Sequence, residues 1–446
     1  MSRIEKVLES LKQNHSYDKN YQQAVKEVFE DISELYSENG DYKKFNVLEV
    51  LTEPDRVIRF RVQWLGDDGN YYVNRAWRVQ FNNCLGAYKG GIRFHKSVNE
   101  DTLKFLAFEQ CLKNALTGFP MGGAKGGSDF DPKDKSDAEI LRFCHAFMDE
   151  LQRYIGPERD VPAGDIGVGS KEIGYLFGRY LKIKNKYNGA ITGKSPSYFG
   201  SCVREEATGF GCIYFLEEVL KEHNLELKKK RICISGSGNV ALFSAQKAIE
   251  LNTNVLTVSD SDGYLYFPDG MTEDEIEYIK ALKFKNKKRL SDFDLKGSKF
   301  KYHKNENPWS EKCDIAIPCA TQNEICAQDA LNLSNNGCKV VIEGANMPLD
   351  GEAVKIVIDN KMIYVPGKIA NAGGVAISNL ERTQNAQFLQ WSFSEVDEKL
   401  KEVMSKIHKN ATSFVEKKNG IINYKKGANL YGFKKLADAI VSFGVV

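Results

Sequence analysis

The sequence lacks most of what would commit it to a specialised fate. No run approaches the ~18 consecutive apolar residues of a membrane-spanning helix. Neither sign of charge dominates. The 62 Lys and Arg against 60 Asp and Glu leave +2, which gives no electrostatic case for nucleic acid or an anionic membrane. Histidine is scarce, at six, and none stands in H-E-x-x-H spacing. The cysteines, at 84, 111, 144, 202, 212, 233, 313, 319, 326 and 338, include no C-x-x-C pair, so no metal centre is expected. Many lie in apolar runs, where a free thiol behaves as a small hydrophobe, and the pattern fits a reducing compartment. The first ten residues carry acidic groups and lack the apolar core of a signal peptide, so a cytoplasmic location is expected.

What is there is a soluble composition, 42% hydrophobic and 27% charged, on 446 residues, too many for one ordinary core. Val25, Val28, Phe29, Ile32 and Leu35 recur at helical spacing. From Arg56 the period becomes two, through Ile58, Phe60, Val62 and Trp64, then Val73, Arg75, Trp77, Val79 and Phe81, which predicts antiparallel strands. Helices are expected over 100–117, capped by Ser97 or Asn99, and over 137–155. Residues 160–165 read as an irregular loop, and Lys125 as part of a glycine-rich one. The loop-rich stretch 188–209 suggests a domain boundary. Beyond it, short apolar strands at 231–235, 254–258, 313–318 and 339–342 alternate with helices, which implies a doubly wound parallel sheet. After 367–374 the chain reads as helical to its end.

Two constellations carry chemistry. Gly236-Ser237-Gly238-Asn239-Val240-Ala241 follows a strand and opens a helix. In that context the glycines allow a tight turn and close approach of a pyrophosphate resting on the helix N-terminus. Asp260 stands about where an acidic residue would take the ribose of NAD. Yet Ser261 follows it, and the basic run 280–289 could meet a 2′-phosphate, so these residues alone leave NAD and NADP open. The second constellation is Lys89, Lys113, Lys125 and Asp165, beside glycines or on a polar helix face. Desolvation and like charges lower a lysine pKa, and a neighbouring aspartate can shuttle a proton. Gln110 and Lys113, three apart, share a helix face and suit a carboxylate.

The strings Lys89-Gly90-Gly91-Ile92-Arg93-Phe94-His95, residues 121–132 and 162–168, Gly236 to Ala241, Glu343-Gly344-Ala345-Asn346-Met347-Pro348 and Asn371-Ala372-Gly373-Gly374-Val375 resemble, in order, the glutamate dehydrogenase family, of the short hexameric type. The resemblance implies an α/β protein of two domains. A substrate-binding and oligomerisation domain would span 1–195 and a Rossmann-type NADP-binding domain 196–370. The C-terminal helices, 371–446, would pack back across the hinge onto the first domain. It implies reversible oxidative deamination of L-glutamate to 2-oxoglutarate and ammonia by a homohexamer. Lys125 is then the catalytic lysine and Asp165 its acid–base partner. Lys113 and Gln110 would hold the α-carboxylate, the Gly164 backbone would contact the substrate, and Lys89 with Ser378 would hold the γ-carboxylate. Thr208, Gly236, Ser237, Gly238, Asn239, Val240 and Asn346 would contact the cofactor. The Ser259-Asp260-Ser261-Asp262 string is similar to that of NADP-dependent members, with Ser261, Lys285 and Lys135 near the 2′-phosphate. Ala87, Glu205 and Arg382 depart from the family pattern. A dehydrogenase of apolar amino acids would need an apolar residue in place of Lys89, since a buried lysine facing a methyl group would be unpaired. The remaining alternatives are an NAD-dependent enzyme or a non-catalytic nucleotide-binding protein of the same fold.

Overall fold

The computed structural model describes residues 2–418 and 420–444. They form two compact units. The first comprises Met1–Cys202, Ile377–Val396 and Ala428–Val446, and the second Val203–Ala376 and Asp397–Gly427. The C-terminal region is thus shared: 397–427 belongs with the second unit and 428–446 with the first. Among the described residues no helix is long and apolar enough to cross a membrane.

The first unit is built on a five-stranded mixed sheet of order β1-β2-β4-β3-β5. Strands β1 (Arg56–Leu65) and β2 (Tyr71–Asn82) form the hairpin that the period of two predicts, running from Arg56↔Gln80 to Leu65↔Tyr71. Strand β3 (Tyr88–Phe94) is parallel to both β4 (Gly123–Ser128) and β5 (Asp160–Gly164), and β4 is antiparallel to β2. Two sequence expectations are corrected here. Lys125 lies in a buried strand, not a glycine-rich loop, and 160–164 is a strand, not an irregular loop. Pro162 is tolerated there because β5 is the sheet edge, where a missing N–H costs no ladder bond.

Why β4 is rich in glycine is steric. A Cβ on Gly123 would overlap Cys111 of the helix Glu100–Thr117, and one on Gly126 would lie 3.0 Å from Arg78 Cδ. That helix is capped by Asn99, whose side chain accepts from Thr102 N, and ends at Gly118 in the left-handed conformation. Elsewhere in the unit Trp64, Phe94, Phe130, Phe143, Phe147 and Met148 form the core, with the Phe130 and Phe143 rings stacked at 3.8 Å.

The second unit carries a seven-stranded sheet of order β12-β11-β10-β6-β7-β8-β9. Strands β6 (Arg231–Ile234), β7 (Asn254–Asp260), β10 (Ile315–Ile317), β11 (Val340–Ile342) and β12 (Ile363–Val365) run parallel, as a Rossmann-type sheet requires. Strands β8 (Gly263–Tyr266) and β9 (Lys301–Lys304) extend it antiparallel. These two are short and partly polar, and the sequence patterning did not reveal them.

Candidate active site

Strand register in the first unit gathers the predicted cluster. Lys125 pairs with Val79 on β2, Lys89 with Val161 on β5, and Gly164 with Ile92 on β3. Asp165 follows β5 directly, held in a tight turn by Val168 N donating to its carbonyl at 2.9 Å. Lys125 Nζ stands 3.2 Å from Asp165 Oδ2, and Arg93 Nε donates to the same oxygen at 2.7 Å.

Burial is the largest influence on all three titrating groups. It pulls Lys125 down; Asp165 opposes this, while Arg93 and Arg78 reinforce it, and the net shift is downward. Lys113 is lowered to about 8, by burial first and then by the charge of Lys125. Burial pushes Asp165 up, but Lys125 and Arg93 outweigh it and leave the carboxyl below its ordinary value. The site thus holds an ionised carboxylate beside an amine that gives up its proton more readily than a surface lysine.

Lys89 is 2% exposed and donates to Thr192 Oγ1 at 2.9 Å. Thr192 Oγ1 in turn lies 2.5 Å from Ser378 Oγ. Thr192 therefore links the two residues expected to meet one carboxylate across nearly three hundred positions of sequence. Its loop is fixed by a fully buried ion pair, Lys194–Glu381 at 2.6 Å, with Glu381 also accepting from the backbone N–H of Gly193. Gln110 donates to Asn114 at 2.7 Å, and Asn114 donates to the carbonyls of Lys89 and Gly122. The helix face carrying Gln110 and Lys113 is thereby tied to β3. Arg382 donates to the Pro120 carbonyl at 3.3 Å.

Sequence reasoning gave no role to Arg93, Thr192 or the pair Arg78–Asp160. Arg78, fully buried on β2, reaches past β4 to the carbonyls of Gly90 and Gly91 on β3 and to both carboxylate oxygens of Asp160 on β5. The glycines of β3 and β4 leave room for that guanidinium. Nothing local marks Arg78, which is flanked in the sequence by Trp77 and Val79 and lies far from the glycines it meets.

In the second unit Gly236 has φ +87°, and its N–H donates to Ser259 Oγ at 2.8 Å. Gly238 precedes the helix Asn239–Glu250, which has no side-chain cap, and nothing lies within 4 Å of where a Gly238 Cβ would stand. Ser237 and Val240 are partly exposed and Asn239 is exposed. An uncapped helix N-terminus facing open space fits a pyrophosphate. Thr208 is near the start of the helix Ala207–Glu222, its hydroxyl 3.0 Å from a Cβ built on Gly374. Asn346 accepts from Asn371 Nδ2 at 2.8 Å.

The carboxylate of Asp260 is enclosed. It accepts from Leu290 N at 2.9 Å, Asp262 N at 3.1 Å and Lys283 Nζ at 3.1 Å. Burial raises its pKa, these donors outweigh that, and the net shift is downward. Ser261 Oγ accepts from Arg289 at 2.7 Å, both residues being exposed, and Lys285 is exposed on the same basic stretch. Lys135 belongs to the first unit, its ammonium 5.7 Å from the Trp64 ring centroid and 5.6 Å from that of Tyr72. Among the described residues no group of three His, Cys, Asp or Glu could hold a metal ion.

Comparison with known proteins gives this arrangement relatives. Residues 200–444 match the family model Glutamate/Leucine/Phenylalanine/Valine dehydrogenase, and residues 54–182 match Glu/Leu/Phe/Val dehydrogenase, dimerisation domain. The chain is 49% identical to the NAD-specific glutamate dehydrogenase of Bacteroides fragilis, covering 99% of this chain and 100% of that one. It is 48% identical, over the same shares of the two chains, to the NADP-specific glutamate dehydrogenase of Helicobacter pylori. The crystal structure of Plasmodium falciparum glutamate dehydrogenase superposes with a TM-score of 0.96 at 49% identity, covering 99% of this chain and 95% of that chain.

Proposed function

We propose that this chain, which belongs to the Glutamate/Leucine/Phenylalanine/Valine dehydrogenase family, is an NADP-dependent glutamate dehydrogenase. It would interconvert L-glutamate, water and NADP⁺ with 2-oxoglutarate, ammonium, NADPH and a proton. The observation that carries the substrate choice is the Lys89–Thr192–Ser378 chain, a buried ammonium with hydroxyls placed to receive a second carboxylate. An apolar side chain there would bring that ammonium no negative charge and no acceptor.

Lys113 and Gln110 would hold the α-carboxylate, and the Gly164 backbone would contact the substrate. Lys125 would polarise the 2-oxo carbonyl or, as the free amine, activate water towards the iminium carbon. Asp165, ionised and 3.2 Å away, would move the proton to and from the substrate nitrogen. Thr208, Gly236, Ser237, Gly238, Asn239, Val240 and Asn346 would hold the nicotinamide cofactor. Bound there, it supplies the two-electron hydride exchange with the substrate Cα.

NADP is favoured over NAD by how Asp260 is used. A ribose 2′-hydroxyl needs a carboxylate able to accept, whereas this one is already engaged by three donors, with the Lys283 charge against it. Ser261 and Arg289, with Lys285, supply the hydroxyl and cations that suit a phosphate. We further propose a cytoplasmic homohexamer; the match to a dimerisation domain supports oligomer formation.

The test is to follow nicotinamide absorbance with 2-oxoglutarate, ammonium and either NADPH or NADH. Oxidation of NADPH with a kcat/KM well above that for NADH is expected. No oxidation of either overturns the enzyme reading, and a preference for NADH overturns the cofactor assignment alone.

A further inference from the structure

Glu343 is the only carboxylate in the Glu343-Gly344-Ala345-Asn346 string, and no step above uses it. It follows β11 and is 2% exposed. Its oxygens accept from Gly367 N at 2.7 Å and from the Tyr364 hydroxyl at 2.9 Å. Its backbone N–H donates to Val365 at 3.0 Å. One side chain thus joins the loop after β11 to β12 and to the helix Gly367–Ala370.

The two segments meet again further along. Asn371, just past that helix, donates to the carbonyl of Gly344 at 3.3 Å and to Asn346 Oδ1 at 2.8 Å. The loop also packs on the dinucleotide turn: a Cβ on Gly344 would stand 3.2 Å from Val240 Cγ1, and Gly344 N and Ala345 N both donate to Pro318 at 3.0 Å. The loop carrying Asn346 therefore has two supports, the β10 end on one side and the Glu343–Asn371 clamp on the other.

We propose that Glu343 is a positioning residue for the nicotinamide cofactor: through its bonds to Gly367 and Tyr364 it fixes the 344–346 loop over the dinucleotide turn and so sets cofactor affinity without touching the cofactor. The proposal rests on the dinucleotide site described above. The titratable or charged groups facing Glu343 are Tyr364 from β12 and Lys368 from the helix Gly367–Ala370. Burial pushes the carboxyl up to about 7, against the Gly367 N–H, the Tyr364 hydroxyl, the Leu349 backbone N–H and the Lys368 charge. An ionised carboxylate holds such donors about twice as strongly as a neutral acceptor does. The clamp accordingly tightens as pH rises through about 7.

The experiment measures NADPH binding to the full-length protein by nucleotide fluorescence, and the two KM values, across this interval. Wild-type affinity is expected to rise with pH. In Glu343→Gln the charge is lost, and the Tyr364 hydroxyl must reverse to accept from the amide N–H₂. NADPH should bind roughly tenfold more weakly, the pH step should vanish, and KM for 2-oxoglutarate should stay within about twofold. Tyr364→Phe, which keeps the carboxylate, should weaken NADPH about threefold and move the step to higher pH, because the ionised form loses a donor. It decides the matter if Glu343→Gln does not fold. Unchanged NADPH affinity in both variants overturns the proposal. So does a step of opposite sign, which would mean that the charge acts on the cofactor directly, or an equal rise in both KM values. A wild-type protein that binds no nicotinamide removes the dinucleotide site and this proposal together.

Discussion

Arg93 shares one oxygen of Asp165 with Lys125, at 2.7 and 3.2 Å respectively, and so acts at once on both groups proposed to move protons. Its charge holds Asp165 ionised and helps keep the Lys125 amine available, in a site where burial alone would favour the opposite state for the carboxyl. Arg93→Met should raise both pKa values, since each group loses a nearby cation. The rising limb of kcat/KM against pH should move upward by on the order of one unit. An unmoved limb would show that neither group governs it. Arg93 was visible as a letter in the Lys89-Gly90-Gly91-Ile92-Arg93 string, but its role was not, because the sequence separates it from Asp165 by a helix, β4, a second helix and β5. Thr192 escaped for the same reason: nothing local marks a threonine that bridges residues 89 and 378.

At the scale of elements, β1 and β2 are legible in the sequence because their apolar positions alternate, although burial alternates only in β1 and residues 76–82 of β2 are buried on both faces. β4 and β5 are not. A strand of glycines has no propensity for the sheet and no side chains to alternate. What makes it a strand is tertiary: the helix behind Gly123 and the Arg78 guanidinium beside Gly126 occupy the space its side chains would need. Two alanine substitutions separate that reason from the glycines of the cofactor turn. Gly126→Ala puts a methyl 3.0 Å from Arg78 Cδ and should lower stability by about 1–3 kcal/mol in denaturant unfolding. Gly238→Ala meets nothing within 4 Å and should leave the unfolding midpoint unchanged while weakening NADPH. Equal effects on stability would contradict this division.

For the whole molecule, the sequence made the two-part α/β plan and the dinucleotide turn readable, since G-x-G-x-x-A between strand and helix is a local pattern. It was less informative about the C-terminal helices, which are shared between the units: a helical period shows which face of each is buried but not against what. The division matters because Ser378 reaches its place in the first unit only through the return of residues 377–396. On the proposed function, substrate length would be read by residues far apart in the chain, with Lys89 as the reader. The direct measurement is kcat/KM for 2-oxoglutarate relative to 2-oxohexanoate, with ammonium and NADPH, in wild type and Lys89→Leu. The wild-type ratio should be large and should fall by at least about a hundredfold in the variant, almost entirely through loss of 2-oxoglutarate turnover, while NADPH binding is kept. A ratio that survives the substitution would contradict the account.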